Sequence, residues 1–321
     1  MDPKPNNQSL TPGSALLPVA GLVVAMFIWG SSFISMKIAF QAYDPWVVIF
    51  GRMLLATLCF ILFIPRFRET RIIRSDLKYF GLMVLMEPCI YFILEAMALQ
   101  NTSASQAGMV TAILPLMVAM TAVLWLNESV SRQTYIGFFL AMAGVWWLSL
   151  SAESTGDAPN PMLGNFFEFL AMVCAAVYIL VLKKLTSHYS PWLLTAMQAL
   201  AGTLFFLPAL FLESTTLPTQ LETVPAAAVV YLGTFVTVGA YGLYNYGVSR
   251  IPASQATAYV NLIPVFSVVL GFLILGERFT SGQFIASGLV FLGIIVSHLG
   301  DRSNRLAMAE ADAETTLTRS G

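Results

Sequence analysis

The chain has 321 residues, of which 57% are hydrophobic and only 10% are charged, and its mean hydropathy is +0.76. A soluble fold could not bury so much apolar surface, so the composition excludes an ordinary soluble globular protein and predicts an integral membrane protein. The net charge of −1 gives no indication of a nucleic-acid partner.

Ten stretches are long and apolar enough to cross a bilayer as helices. We therefore predict an all-α membrane protein with ten transmembrane helices, joined by connections too short to form a soluble catalytic domain. The predicted spans cover residues 18–38, 46–64, 78–97, 105–125, 133–150, 162–182, 192–212, 226–246, 254–275 and 281–299. A head of residues 1–17 and a charged, disordered tail of residues 300–321 are predicted to lie outside them.

The basic residues predict the orientation, because cytoplasmic loops of membrane proteins carry an excess of lysine and arginine. With ten spans, one side of the membrane receives Arg66, Arg68, Arg71, Arg74, Lys78, Arg132, Lys183, Lys184, Arg250, Arg302 and Arg305. Lys37 and Arg278 are the exceptions on the other side. Both termini are therefore predicted to be cytoplasmic.

The two halves of the chain repeat one another. The sequence Ala-Ser-Gln-Ala occurs at 104–107 and again at 253–256, which is 149 residues later. The same offset aligns Pro115 with Pro264, Glu128 with Glu277 and Gly144 with Gly293. Because each half holds five spans, an odd number, the second half must enter the membrane inverted. We predict two inverted five-helix repeats, 18–150 and 162–299, an arrangement that transporters use for alternating access.

These features together resemble the EamA family of the drug/metabolite transporter superfamily. The resemblance rests on the ten spans, the two Ala-Ser-x-Ala segments, the mid-span prolines, the glutamates of "LNES" and "LGER", and "WGSSF" from Trp29 to Phe33. It implies a secondary carrier of small organic metabolites, often an exporter of amino acids or related compounds, in a bacterial-type inner membrane. The resemblance also implies a cavity between the two halves.

Aromatic and amide side chains deep in the spans predict the walls of that cavity. Trp29 lies in span one, Tyr241 and Asn245 lie in span eight, and Tyr259 and Asn261 lie in span nine. Aromatic walls with a few polar groups suit an amphipathic solute of amino-acid size. The alternative is that these rings pack against lipid and other helices.

Ionisable side chains within the spans are the main candidates for coupling, because such groups are costly in hydrocarbon and usually face a protein interior or a cavity. Glu87, Tyr91 and Glu95 share one face of span three. Arg52 lies at a depth similar to that of Glu95, and we expect the two to pair as scaffolding. Glu87 has no basic partner at its depth and is the predicted coupling or substrate-ammonium group, the alternative being a protonated core acid. Glu168 is a second candidate.

Four further residues are candidates for a hinge or gate. Pro115 and Pro264 lie near the middle of their spans, where proline removes a backbone hydrogen bond. They predict either a hinge or a simple packing kink. Gln106 and Gln255 begin spans four and nine and are predicted to form hydrogen bonds at the helix start or at a gate.

The helix ends carry structural signals. Glu128 and Glu277 are predicted at the membrane interface just before the following span, where a carboxylate stabilises the positive end of a helix. Thr280 and Gln283 have the spacing of a capping box.

Other function classes have less support. His188 and His298 are the only histidines, and no metal-binding or phosphate-binding motif is present, so we predict no enzyme, no metal and no cofactor. A channel or a non-transporting scaffold is the alternative to a carrier.

The predicted partners are the lipid bilayer, a small-molecule substrate and protons, with a homodimer left open. Without an ATP-binding motif, transport must draw on an ion gradient or a counter-substrate, and export is favoured over uptake.

Overall fold

The computed structural model describes residues 16–61, 70–126, 130–251, 256, 258–297 and 299–300. Over these ranges the chain is helical and contains no β-sheet, only one isolated bridge between Thr155 and Ala158. Gln255, a predicted gate residue, and Glu128, a predicted interface residue, lie outside the described residues.

Apolar helices account for most of the described chain. In chain order they are α1 (Leu17–Phe40), α2 (Pro45–Ile61), α3 (Arg74–Asn101), α4 (Ala104–Trp125), α5 (Arg132–Leu150), α6 (Pro161–Leu185), α7 (Pro191–Phe211), α8 (Thr223–Arg250), α9 (Tyr259–Leu275) and α10 (Ser281–Ser297). Within the described ranges, seven are long and apolar enough to cross a membrane, while α2, α9 and α10 are shorter. The predicted all-helical membrane class is confirmed. The count of ten crossings and the inversion of the halves stay predictions.

Helices α3 and α8 leave α-helical geometry at corresponding positions. In α3 a π-helical turn covers Leu85–Ile90, and within it Glu87 is extended (φ −146°, ψ 114°) beside Pro88. In α8 a π-helical turn covers Leu232–Ala240, which is the same part of the repeat when the offset of 149 residues is applied. Gln198 of α7 donates from Nε2 to the backbone carbonyl of Glu87 at 3.1 Å, so the interrupted helix keeps this carbonyl satisfied.

Helices α4 and α9 also match in their irregularity. A 3-10 turn covers Thr111–Ile113 in α4, and another covers Tyr259–Asn261 in α9. Pro115 and Pro264 follow these turns closely. Each proline lacks the donor to the carbonyl four residues earlier and crowds it, which explains the tighter turn. A 3-10 turn thus precedes each proline, and the choice between a hinge and a packing kink stays a prediction.

Glycines bring α5 and α10 into close contact. A Cβ atom on Gly137 would lie 2.4 Å from the carbonyl oxygen of Gly293, and one on Gly293 would lie 2.5 Å from the carbonyl oxygen of Gly137. About two turns further along α5, a Cβ on Gly144 would lie 2.7 Å from Val290 Cγ2 and 3.0 Å from the carbonyl oxygen of Ala286. The two backbones approach so closely that even a methyl group does not fit, as is common for small residues between membrane helices.

This contact makes the stability of the fold sensitive to Gly293. We expect Gly293→Ala to lower the free energy of unfolding by about 1–3 kcal/mol, because the added methyl group overpacks the interface. Gly288 on the same helix is the matched control, since a Cβ there would meet no atom within 4 Å. Thermal unfolding of the purified variants in detergent would measure both, and equal melting temperatures for G293A and G288A would contradict the prediction.

Candidate functional site

A small central cavity of about 50 Å³ lies among helices of both halves. Its walls consist of Trp29, Ser32, Phe33, Arg52, Glu87, Tyr91, Phe92, Glu95, Thr111, Leu114, Met172, Ala175, Tyr178, Ile179, Tyr241, Tyr244, Val260 and Ile263. Five predicted site residues are therefore brought together: Trp29, Glu87, Tyr91, Glu95 and Tyr241. Helices α5, α7 and α10 contribute none of these lining residues.

Glu87 is buried at the point where α3 is interrupted. Its Oε1 atom accepts a hydrogen bond from the hydroxyl group of Tyr241 on α8. Among the described residues Glu87 has no ion-pair partner, as the sequence predicted. The cavity therefore contains one carboxyl group that is held by a phenol but is not paired with a cation.

The second carboxyl group in the wall, that of Glu95, is paired. Arg52 Nη1 lies 3.6 Å from Glu95 Oε2, and the two side chains are only 2% and 4% exposed. Tyr91 donates its hydroxyl proton to Glu95 Oε1 at 3.2 Å, and Arg52 Nε donates to Thr237 Oγ1 at 3.3 Å. The guanidinium carbon of Arg52 lies 4.1 Å from the centre of the Phe92 ring. The predicted Arg52–Glu95 pair is thus present.

Two further polar atoms in the cavity wall have no partner. Trp29 Nε1 and the hydroxyl oxygen of Tyr244 are buried and form no hydrogen bond with any described residue. The Trp29 ring lies 5.0 Å from the ring of Tyr241 and 4.9 Å from that of Tyr244. Because buried polar groups are normally hydrogen-bonded, two free donors in one cavity indicate a place for an acceptor group of a bound molecule or water.

Three predicted cavity residues do not line the cavity. Asn245 is buried behind it, where it accepts from the hydroxyl group of Tyr178 at 3.0 Å and donates from Nδ2 to Thr195 Oγ1 at 2.8 Å. Tyr259 and Asn261 belong to the 3-10 turn of α9, which presents other positions to the cavity. These three side chains are therefore absent from the lining of this cavity, and their part in substrate binding stays a prediction.

Tyr178 and Tyr244 line the cavity but were not among the predicted site residues. Both carried a signal in the repeat: the offset of 149 residues aligns Tyr178 with Trp29 and Tyr244 with Glu95. The same offset relates ten of the eighteen lining residues as the pairs Trp29/Tyr178, Phe92/Tyr241, Glu95/Tyr244, Thr111/Val260 and Leu114/Ile263. Equivalent positions of the two halves therefore face one another across this cavity.

A second and more polar cavity, which we call the vestibule, has a volume of about 580 Å³. It is lined by residues at the ends of α1 and α3, the start of α4, the α5–α6 connection and the α9–α10 connection, including Lys37, Gln106, Glu153 and Glu277. Gln106 accepts from Asn165 Nδ2 at 3.1 Å, and its backbone N–H donates to Ser103 Oγ at 3.2 Å. Gln106 thus has the predicted place at a helix start, and its role at a gate stays a prediction.

Glu277 forms a contact between the halves, which we call the clasp. Its Oε1 and Oε2 atoms accept from the backbone N–H groups of Ala104 at 2.9 Å and Ser105 at 2.8 Å. First-turn N–H groups lack partners within their own helix and carry its positive end, so a carboxylate stabilises them. The prediction that Glu277 stabilises the following helix was wrong, because Gly276 (φ 69°) turns the chain so that Glu277 reaches α4 instead.

The start of α10 has its own cap. Thr280 donates from its backbone N–H to Gln283 Oε1 at 2.7 Å, and the N–H of Gln283 donates to Thr280 Oγ1 at 3.3 Å. The predicted capping box is therefore confirmed.

Between the cavity and the vestibule, α4 and α9 form a tight contact, which we call the wall. A Cβ on Gly108 would lie 1.9 Å from Ser267 Oγ, and one on Gly271 would lie 2.2 Å from Ser105 Oγ. Along α9 this contact falls between the residues that line the cavity and the residues that line the vestibule. Small residues thus allow α4 and α9 to pack closely between the residues that line the two spaces.

Comparison with known proteins gives consistent relatives. The chain is 27% identical over 285 residues to the uncharacterized transporter YetK of Bacillus subtilis, covering 86% of this chain and 85% of that protein. It is 24% identical over 284 residues to an uncharacterized transporter of Archaeoglobus fulgidus, with 86% and 97% covered. A WAT1-related protein of Arabidopsis thaliana, At3g02690, is 23% identical over 282 residues, with 85% and 67% covered.

A similar fold is found among solved structures. One crystal structure superimposes with a TM-score of 0.64 at 19% identity, covering 91% of this chain and 99% of that chain. The model of the EamA-like transporter family matches twice, at residues 16–150 and 162–299. The helical membrane fold and these two matches show that the chain is a member of the EamA-like transporter family.

Proposed function

We propose that the chain is a secondary carrier of small organic metabolites that works by alternating access. The single observation that carries this proposal is the central cavity lined by equivalent positions of both halves. A binding site on the boundary between two repeats can face either side of the membrane when the repeats exchange conformations.

Several contacts support an inverted arrangement of five plus five helices. The offset of 149 residues aligns Gly137 with Ala286 and Gly144 with Gly293. The contact of Gly137 with Gly293 therefore has an equivalent in the contact of Ala286 with Gly144, and both contacts occur between α5 and α10. A two-fold axis in the membrane plane would produce this exchange. A helix of 17 residues is about 26 Å long, close to the hydrocarbon thickness of about 30 Å. We therefore propose that α2, α9 and α10 also cross the membrane, as parts of repeats 18–150 and 162–299.

The clasp of Glu277 and the α4–α9 contact support a conformation in which the central cavity is closed toward the outer side of the membrane. With both termini in the cytoplasm of a cell whose inner membrane holds the protein, the vestibule lies on the outer side. This conformation is then closed toward the outside, and export requires the clasp of Glu277 and the α4–α9 contact to separate. Pro115 and Pro264 lie in the two helices that would have to move, which supports their predicted hinge role.

The side chains of the cavity support an amphipathic substrate of amino-acid type. Aromatic rings form much of the lining of the central cavity, while Trp29 Nε1 and the Tyr244 hydroxyl are free to bind an acceptor such as a carboxylate. Glu87 is the carboxyl group without a cation, so it can bind either a substrate ammonium group or a proton. Competition of these two for one carboxyl group would couple export to the proton gradient.

The first test is transport by proteoliposomes. We expect that one class of compound from a mixed pool of amino acids and metabolites accumulates with protein and an imposed pH gradient, but not in empty liposomes. Mass spectrometry of the vesicle contents would identify it. Absence of uptake under any gradient or counterflow loading would contradict the carrier and favour a scaffold.

Two matched variants separate coupling from scaffolding. Glu87→Gln should fold normally but lose the effect of the pH gradient on flux, because the neutral amide that replaces the carboxyl group does not take up or release a proton. Glu95→Gln should instead destabilise the protein by about 3–5 kcal/mol, because Arg52 would lose its buried partner. Flux and thermal unfolding of both variants would test this, and unchanged gradient dependence in E87Q would remove Glu87 from the mechanism.

The clasp predicts a change in access from outside. Glu277→Gln should weaken charge-assisted hydrogen bonds by about 1.5–3 kcal/mol, raising outward opening about tenfold or more. The measurement is the rate at which a membrane-impermeant thiol reagent modifies Ser32→Cys in the cavity. Glu153→Gln, which removes another vestibule carboxylate, is the control. Equal labelling rates in the E277Q and E153Q backgrounds would show that the clasp does not close the outer side.

A further inference from the structure

Glu168 of α6 is a buried carboxyl group that the transport cycle above does not use. The residue is 0% exposed. Neither Oε1 nor Oε2 has a hydrogen-bond partner among the described residues, and neither takes part in the ion pair found there. A carboxylate in such surroundings is strongly unfavourable, so this side chain requires a physical explanation.

Helix spacing places Glu168 between the two cavities. Asn165, three residues earlier, donates to Gln106, which lines the vestibule. Met172, four residues later, lines the central cavity. Residues three and four apart in a helix share a face, so Glu168 lies on the face of α6 that joins these two points.

The groups around Glu168 provide no positive charge. From α3, Glu95 and Tyr91 interact with it electrostatically, and Glu95 already pairs with Arg52. Of the other helices packed against α6, namely α4, α5 and α8, none adds a charged or titratable group that acts on Glu168 in the described part of the chain. Salt-bridge scaffolding, which explains Glu95, therefore does not explain Glu168.

We propose that Glu168 is a second proton-binding site, located on α6 between the cavity and the vestibule and distinct from Glu87. With the wall closed, the carboxyl group carries a proton on one oxygen and holds no buried charge. When α4 separates from α9, vestibule water reaches the group, the O–H bond breaks, and the proton passes to water. Return to the closed state requires a proton to be taken back. Exchange of this proton is therefore tied to opening of the wall, a role that rests on the proposed carrier function.

The test follows the protonated carboxyl group itself and needs no substrate. Infrared difference spectra of the reconstituted full chain, recorded after transfer from H₂O to D₂O, show the C=O stretch of each protonated carboxyl group and the shift of that band on deuteration. We expect a carboxyl band that is lost in Glu168→Gln and kept in Glu87→Gln. We also expect this band to shift faster in Glu277→Gln, in which the clasp is weakened, than in the wild-type chain or in Glu153→Gln.

The outcomes separate this site from the carrier proposal. If E168Q folds and its carboxyl bands match those of the wild type, Glu168 carries no proton and the proposal is overturned. Deuteration at the same rate in E277Q and E153Q would overturn the link to the wall. Both E277Q and E153Q retain Glu168, so the comparison of their deuteration rates remains valid even if E168Q does not fold. Failure of transport with a normal Glu168 band would count against the carrier alone.

Discussion

The ion pair of Arg52 with Glu95 is the contact on which the interior depends. A guanidinium group at this depth is tolerable only because a carboxylate, the hydroxyl group of Thr237 and the ring of Phe92 surround it. These partners join α2 to α3 and α8, three helices that form the cavity. The pair has no net charge. The electrostatic character of the cavity is therefore set by Glu87, the remaining carboxyl group of its lining.

Interrupted helices place functional groups where a regular helix would not. The break in α3 extends the backbone at Glu87, and the carbonyl group is satisfied by Gln198 rather than by its own helix. The corresponding π-helical turn in α8 precedes Tyr241, the residue that binds Glu87. Irregular backbone at membrane depth is tolerated only within protein or beside a cavity. That both repeats are irregular at the same position indicates that the cavity and the breaks depend on one another.

The repeated tetrapeptide has a structural explanation in its first copy. Ala104 and Ser105 are small, so the start of α4 can approach the end of α9 closely enough for the Glu277 carboxylate to reach two backbone N–H groups. Gly271 is required for the same reason, since a side chain there would overlap Ser105 Oγ. A motif that local reasoning assigns to ordinary helix packing thus forms a connection between the two halves, and Glu277 acts on a helix 173 residues before it in sequence.

The sequence by itself determined the membrane class, the approximate position of each apolar helix, the pairing of Arg52 with Glu95 and the capping box, because hydropathy, residue spacing and local hydrogen bonding are encoded over short distances. It also singled out five of the cavity residues. Only the tertiary structure decided that Val260 and Ile263, rather than Tyr259 and Asn261, line the cavity and that Glu277 binds α4. Helix rotation after a kink and contacts between distant segments depend on how the helices pack, and packing is a property of the whole bundle rather than of any one segment.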